Sequence, residues 1–219
     1  MILNPLALIK QEKLVVIARG VPDDAIVAVG QALVDGGIML LESTFNQSLP
    51  DPVAANQRTI ALLNREFAGR LAIGAGTVLT VAQVQAAYEA GAGYIISPNT
   101  NAAVIAETKR LGLVSIPGAM TPTEITLAWD LGADMVKVFP ADDLGYHYLR
   151  NVAAPLSHIP FMATGGVNPQ TIPEFLAAGV VAVGTGISII KPDLLRAGDF
   201  TAISRLAREH VDAIRNYKG

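Results

Sequence analysis

The sequence predicts an α/β protein, a (βα)₈ barrel with a short extra helix ahead of the first strand. Three observations carry this. Eight short apolar runs recur along the chain, each followed by a helix-length amphipathic segment. The runs are nearly continuous in apolar character and do not alternate, as parallel strands covered on the outside should be. A glycine stands between helix and next strand at Gly36-Gly37, Gly69, Gly91, Gly112, Gly132 and Gly179, where a left-handed residue ends a helix and turns the chain back. Eight βα units without a linker or composition shift fit one barrel domain over residues 1–219. A doubly wound sheet is the alternative, but it needs no count of eight.

The strands are expected at Leu14–Ala18, Ile38–Glu42, Leu71–Ala75, Tyr94–Pro98, Leu113–Ile116, Met135–Phe139, Phe161–Thr164 and Val181–Gly184. The helices between and after them read as Asp23–Asp35, Pro52–Phe67, Val81–Ala90, Ala102–Leu111, Pro122–Leu131, Leu144–Ala154, Gln170–Ala178 and Phe200–Tyr217. Pro22-Asp23, Thr80, Asn101, Thr121-Pro122 and Asn168-Pro169 mark helix starts. Thr121-Pro122-Thr123-Glu124 has the spacing of a capping box. Asn4–Glu12 is the extra helix, closing the barrel bottom.

Composition narrows the function. Hydrophobic residues are 51% and charged residues 16% of 219, which describes a packed globular chain. The net charge of −3 offers no basic footprint for nucleic acid. The absence of cysteine removes disulfides and thiolate metal sites. No stretch approaches about 18 consecutive apolar residues, so no membrane span is expected. Residues 1–12 do not read as a signal peptide. A soluble, cytoplasmic protein is the expectation.

In such a barrel the site lies at the C-terminal ends of the strands. Lys137 is the most informative residue there. It is flanked by Val136, Val138 and Phe139, whereas the other lysines lie in helix-like or terminal segments. Burying it charged is costly, so its pKa should fall, and a neutral amine attacks carbonyls to form Schiff bases. It also fits a lysine that snorkels to the rim or pairs with a carboxylate. Glu42 ends the second run and reads as a proton shuttle or as a partner of Lys137 or Arg19. Arg19 faces the mouth after strand one, either to clamp an anion or to sit in a rim ion pair.

Gly74-Ala75-Gly76-Thr77 lets a ligand approach the backbone and adds a hydroxyl, or is simply a tight turn. Pro98 shapes the pocket wall. Phe139 shares strand parity with Lys137 and either packs on a substrate carbon or fills core. Thr164-Gly165-Gly166 and Gly184-Thr185-Gly186 are glycine turns after strands seven and eight, where many barrels hold phosphate. His147, His158 and His210 have no metal-ligand spacing, so no metal is expected. Nor is a Ser-His-Asp arrangement readable.

Taken in order, Glu42, Gly74-Ala75-Gly76-Thr77, Ser97-Pro98, Ile116-Pro117-Gly118, Lys137-Val138-Phe139-Pro140 and Thr164-Gly165-Gly166-Val167 resemble the motifs of the 2-keto-3-deoxy-6-phosphogluconate / 4-hydroxy-2-oxoglutarate aldolases. The resemblance covers nearly the whole chain. It implies a class I aldolase on a homotrimeric barrel, working without metal or other cofactor. Its substrate would be a keto sugar acid cleaved to pyruvate and glyceraldehyde 3-phosphate, with no nucleic-acid or membrane partner. It implies Lys137 as the Schiff-base lysine and Glu42 as the proton shuttle. Thr77 with Gly76 would hold the pyruvate carboxylate, Arg19 an anionic group, and Pro98 and Phe139 the pyruvate carbons. Gly165, Gly166 and Gly184–Gly186 would receive the distal phosphate, with Thr164 beside them.

Two positions depart from the family pattern. Asn46 stands where phosphogluconate-type members usually carry arginine, which looks more like phosphogalactonate relatives. Ile187 follows Gly186 where serine is usual, with Ser188 one place later, so the phosphate hydroxyl is either missing or supplied by Thr185 or Ser188. The rival readings are a non-phosphorylated keto-acid aldolase, a phosphate-barrel isomerase or epimerase, and a non-catalytic sugar-phosphate binding protein. Fold alone does not choose among them.

Overall fold

The computed structural model describes residues 4–218. The chain runs α1 (Pro5–Glu12), β1 (Leu14–Ala18), α2 (Ile26–Asp35), β2 (Leu40–Thr44), α3 (Pro52–Glu66), β3 (Ala72–Gly76), α4 (Val81–Glu89) and β4 (Tyr94–Ile96). It continues through α5 (Ala102–Arg110), β5 (Val114–Ile116), β6 (Gly118–Ala119), α6 (Pro122–Asp130), β7 (Val136–Val138), α7 (Ala141–Ala153) and β8 (Phe161–Thr164). It ends with α8 (Ile172–Ala177), β9 (Ala182–Thr185), α9 (Pro192–Ala197) and α10 (Phe200–Arg215).

All strand pairs are parallel, in the order β5-β4-β3-β2-β1-β9-β8-β7-β6. The two ends of that order, β5 and β6, are successive pieces of one strand. Pro117 divides them because it has no N–H to give the ladder. Its carbonyl still accepts from Lys137 N at 2.8 Å, and Asp134 N donates to Ser115 O at 2.9 Å. The segment therefore pairs on both sides and the sheet closes into the expected eight-unit barrel.

Several boundaries move, and some moves matter. β2 runs on to Thr44, so Glu42 lies mid-strand and not at its end. β4 stops at Ile96, short of Pro98. α2 starts at Ile26 with no side-chain cap, so Pro22-Asp23 form a turn ahead of it. Asn168 likewise caps a turn before α8 and not the helix itself: its Oδ1 accepts from Gln170 N and Thr171 N. α7 begins earlier than read, at Ala141, and is interrupted at Gly145. α9 is an addition the periodicity did not reveal. Thr80, Asn101 and the Thr121–Glu124 capping box do start their helices.

Strand parity sorts the side chains into two layers. Residues such as Val16, Leu41, Ile73, Ile95, Val136, Ala163 and Val183 face outward and pack against the helices. Val15, Leu40, Tyr94, Ile96, Ile116, Met135, Met162 and Ala182 fill the barrel, with Leu8 and Ile9 of α1 plugging its bottom. One step further along the same inward parity come Glu42, Lys137, Thr164 and Gly184, and after these Arg19, Gly76, Pro98, Phe139, Gly166 and Gly186. The inside of the barrel thus changes from apolar to reactive along its axis.

Gly74 belongs to that inner layer because Tyr94 occupies its side-chain space. A Cβ on Gly74 would overlap the buried Tyr94 ring. Gly74→Ala should destabilise the fold by about 1–3 kcal/mol through overpacking. A thermal melt that leaves the midpoint unchanged would show that the ring has room to move.

Candidate active site

Lys137 comes from β7, where its Cα is partnered by Gly118 on one side and Met162 on the other. The residue is 6% exposed. Burial lowers its pKa from the ordinary lysine value, the charge of Arg19 lowers it further, and Glu42 opposes both. Glu42 on β2 is 1% exposed, and burial raises its pKa against the pull of Lys137 and Arg19. Among the described residues no direct ion pair joins them; they act on each other through space. Burial pushes each group toward its neutral form, and the two lie in one dry layer.

Gly76 is what lets Glu42 sit there. A Cβ on Gly76 would overlap the Glu42 carboxylate. The glycine in Gly74-Ala75-Gly76-Thr77 therefore does more than turn the chain. Next to it, Thr77 has φ +56°, a left-handed conformation that a β-branched residue avoids and that costs about 1–3 kcal/mol. It is held from two sides. Arg19 donates to Thr77 Oγ1 at 2.8 Å, and Gln47 Nε2 donates to Thr77 O at 3.1 Å. Gln47 is fixed in turn by Gln83 Nε2 at 3.0 Å, and the buried Gln83 accepts from Leu79 N at 2.7 Å. Sequence reading missed both glutamines. The detectable signal was Gln83, an amide on the buried face of α4, which needs a polar partner.

Above this layer lies a cavity of about 530 Å³. Arg19, Phe139, Thr164 and the turns Gly165–Gly166 and Gly184–Gly186 line it. Lys137, Glu42, Gly76, Thr77 and Pro98 are not in its wall. Lys137 Nζ lies 4.9 Å from the ring centre of Phe139, which does line the cavity. Phe139 is 39% exposed, so it stands at the mouth and does not fill core. Gly165 and Gly166 both have positive φ, and their Cβ directions are occupied by Asp142 at the start of α7. Gly184 leaves space for Thr164, whose Oγ1 would lie 2.8 Å from a Cβ there. Thr164 Oγ1 is the one buried side-chain polar atom without a hydrogen-bond partner among the described residues.

The departures also find their places. The Asn46 side chain accepts from Ser48 N at 3.1 Å and caps its own loop. Ile187 stands at the cavity rim, 76% exposed. Among the described residues no cluster of three or more His, Asp or Glu side chains has the arrangement to hold a metal ion. No helix among them is long and apolar enough to cross a membrane.

The sequence profile of the family described as "KDPG and KHG aldolase" matches residues 6–206. The chain belongs to that family. It is thereby an aldolase, a carbon–carbon lyase, and not one of the isomerase or binding-protein alternatives. The chain is 37% identical over 201 residues to a probable 2-dehydro-3-deoxy-6-phosphogalactonate aldolase of Rhizobium meliloti, covering 90% of this chain and 91% of that one. It is 35% identical over 189 residues to a 2-dehydro-3-deoxy-phosphogluconate aldolase of Treponema pallidum, covering 86% and 87%. Among solved structures it resembles the KDPG aldolase of Legionella pneumophila with pyruvate captured at low pH as a covalent carbinolamine intermediate. That likeness has a TM-score of 0.80 and 26% identity, over 93% of this chain and 96% of that one.

The position of the Glu42 carboxylate can be tested through the space at Gly76. Gly76→Ala should displace the Glu42 carboxylate and lower turnover about 100-fold. Circular dichroism should show the fold retained; a variant with near-normal turnover would mean that the Glu42 position is not critical.

Proposed function

We propose that the chain is a class I aldolase that cleaves a 2-keto-3-deoxy-6-phospho sugar acid, of phosphogluconate or phosphogalactonate type, to pyruvate and glyceraldehyde 3-phosphate. The observation that carries this reading is Lys137 buried inside the barrel in one layer with the buried Glu42, each pushed by burial toward its neutral form. The carbinolamine captured in the Legionella relative supports it.

The neutral Lys137 amine adds to the C2 carbonyl and forms a carbinolamine. Glu42 gives a proton to the departing hydroxyl, water leaves, and an iminium remains. The resulting Glu42 carboxylate takes the proton of the C4 hydroxyl as the C3–C4 bond breaks. The bonding pair flows into the iminium, giving the enamine of pyruvate, and C4 leaves as the aldehyde. Protonation at C3 and addition of water then release pyruvate and restore the amine. Thr77, held by Arg19 and Gln47, receives the keto-acid carboxylate with the backbone near Gly76. Pro98 and Phe139 flank the pyruvate carbons. Thr164 offers its unpartnered hydroxyl to a substrate hydroxyl, and the two glycine turns take the distal phosphate.

One barrel, read over residues 1–219, carries the reaction without metal or other cofactor. The exposed apolar side chains Tyr88 on α4 and Leu127 on α6 support assembly as a homotrimer. A phosphorylated metabolite as substrate supports a cytoplasmic site of action.

A second reading has its own support. Among the described residues Arg19 is the only charged one in the cavity wall, and Ile187 is exposed at its rim. One cation, and an apolar side chain where a serine is usual, suit a distal carboxylate of smaller charge than a phosphate, as in 4-hydroxy-2-oxoglutarate. Rates with and without the phosphate separate the two readings.

Borohydride reduction with pyruvate, followed by peptide mass spectrometry, should place a pyruvyl adduct on Lys137. Lys137→Met should give no adduct and no turnover; turnover retained in that variant would remove the imine mechanism. A base with a lowered pKa is neutral from a lower pH upward. Trapping should therefore rise with pH and level off below 10.5, the ordinary lysine value. A midpoint at or above that value would contradict the burial argument.

Thr164→Val keeps shape and deletes only the hydroxyl. It should lower kcat/KM about tenfold for the preferred C4 epimer, the cost of one lost hydrogen bond. Equal effects on both epimers would deny Thr164 any contact with the C4 hydroxyl.

A further inference from the structure

A hydrogen-bonded chain leads from the cavity into the protein behind the turn after β9. Thr185 Oγ1 lies 3.0 Å from Val167 O and 2.6 Å from Ser188 Oγ. Ser188 Oγ lies 2.9 Å from His210 Nε2, and His210 Nδ1 lies 2.7 Å from Leu206 O. Thr185 and Ser188 line the cavity, whereas His210 on α10 is 0% exposed. Its neighbours on the buried face of that helix, Ile203, Ala207 and Val211, are apolar. Burying an imidazole among them is unfavourable unless its nitrogens are bonded.

The direction of the chain follows from its ends. A carbonyl only accepts, so His210 Nδ1 carries the proton. Burial lowers the pKa of the ring, which leaves it neutral with Nε2 as an acceptor. Ser188 must then donate to His210, and Thr185 donates to Ser188 or to Val167 O. Both hydroxyl protons are used inside the protein. Meanwhile Ile189 N and Ile190 N donate to Gly186 O at 3.0 and 2.8 Å, and close the turn. The N–H groups of Ile187 and Ser188 have no partner among the described residues and stand at the start of that turn.

We propose that His210 is a positioning residue for the distal subsite: through Ser188 and Thr185 it fixes the Gly184–Ile190 turn and draws their hydroxyl protons away from the substrate, so that the turn holds a distal anion by backbone N–H groups. This rests on the reading that the far end of the substrate is a phosphate at that turn. It also answers the departure at Ile187. The usual serine hydroxyl is absent, and the neighbouring hydroxyls are committed to His210 and do not substitute for it.

The test compares His210→Leu, His210→Gln, Ser188→Ala and the His210→Leu/Ser188→Ala double variant. Leucine fills the space without nitrogen, and glutamine still reaches Ser188. Three quantities are read: kcat and KM for the phosphorylated keto sugar acid, the same for its non-phosphorylated counterpart, and the rate of borohydride trapping with pyruvate.

His210→Leu and Ser188→Ala should each raise KM for the phosphorylated substrate about five- to tenfold, the effect of one hydrogen bond. The KM for the non-phosphorylated substrate, kcat and trapping should stay within about twofold, as when only distal binding is lost. The double variant should be no worse than either single one, because both act through one chain. His210→Gln should recover most of the wild-type KM.

An unchanged KM in His210→Leu, additive losses in the double variant, or equal shifts for both substrates would overturn the proposal. Should His210→Leu fail to fold, Thr185→Val and Ser188→Ala test the same chain from its cavity end, and additive losses there reject it. A wild-type enzyme with no preference for the phosphorylated substrate sinks the phosphate reading and this proposal together. A wild-type preference that the variants leave untouched sinks this proposal alone.

Discussion

Keeping one amine and one carboxyl dry inside the same barrel is the constraint on which the rest of this structure depends. A lysine or glutamate inside a closed sheet loses most of its hydration, and its charged form becomes unfavourable. The barrel accommodates this by placing Lys137 and Glu42 one layer above the apolar filling and one layer below the mouth. Lower, they would displace Tyr94, Met135 or Met162; higher, water would restore their ordinary pKa values. Burial therefore sets the electrostatics of the site, because it pushes the amine and the carboxyl toward their neutral forms.

That placement requires empty space on neighbouring strands. Glu42 fits because Gly76 has no side chain, Tyr94 fits because Gly74 has none, and Thr164 fits beside Gly184. Small residues on β3 and β9 thus set the positions of large or reactive ones on β2, β4 and β8. The strained Thr77 follows the same logic one step outward. The chain leaves β3 in a conformation threonine avoids, and Arg19, Gln47 and Gln83 hold it there. The distal side of the cavity is built differently, from glycine turns braced from behind by Asp142 and by the Thr185–Ser188–His210 chain.

The most legible parts of the site were those with a local signature. An apolar run broken by one charge marked Lys137, and glycine pairs after strands marked the turns. The cavity wall then gathers Arg19, Phe139, Thr164, Gly165, Gly166, Gly184 and Gly186 from segments far apart in the chain. Strand ends were less legible. Glu42 was read as the end of its strand because Ser43 and Thr44 are polar, yet both continue β2. Ser43 can do so because its hydroxyl donates to the buried Asn56 at 2.6 Å, a pairing no local pattern announces. The helical surroundings of Gln83 and His210 disguised them as ordinary polar residues.

The sequence by itself determined the βα repeat, the inward parity of Glu42 and Lys137 and the place of one amine and one carboxyl on strands of the barrel. Periodicity and strand geometry act over a few residues, so they can be read along the chain. Tertiary structure decided the level at which Glu42 meets Lys137, the room that Gly74 and Gly76 leave for side chains on other strands, the split of the fifth strand at Pro117, and the reach of His210 to the β9 turn. Each of these depends on atoms brought together only when the sheet closes, and the register of that closure is set by packing across the barrel.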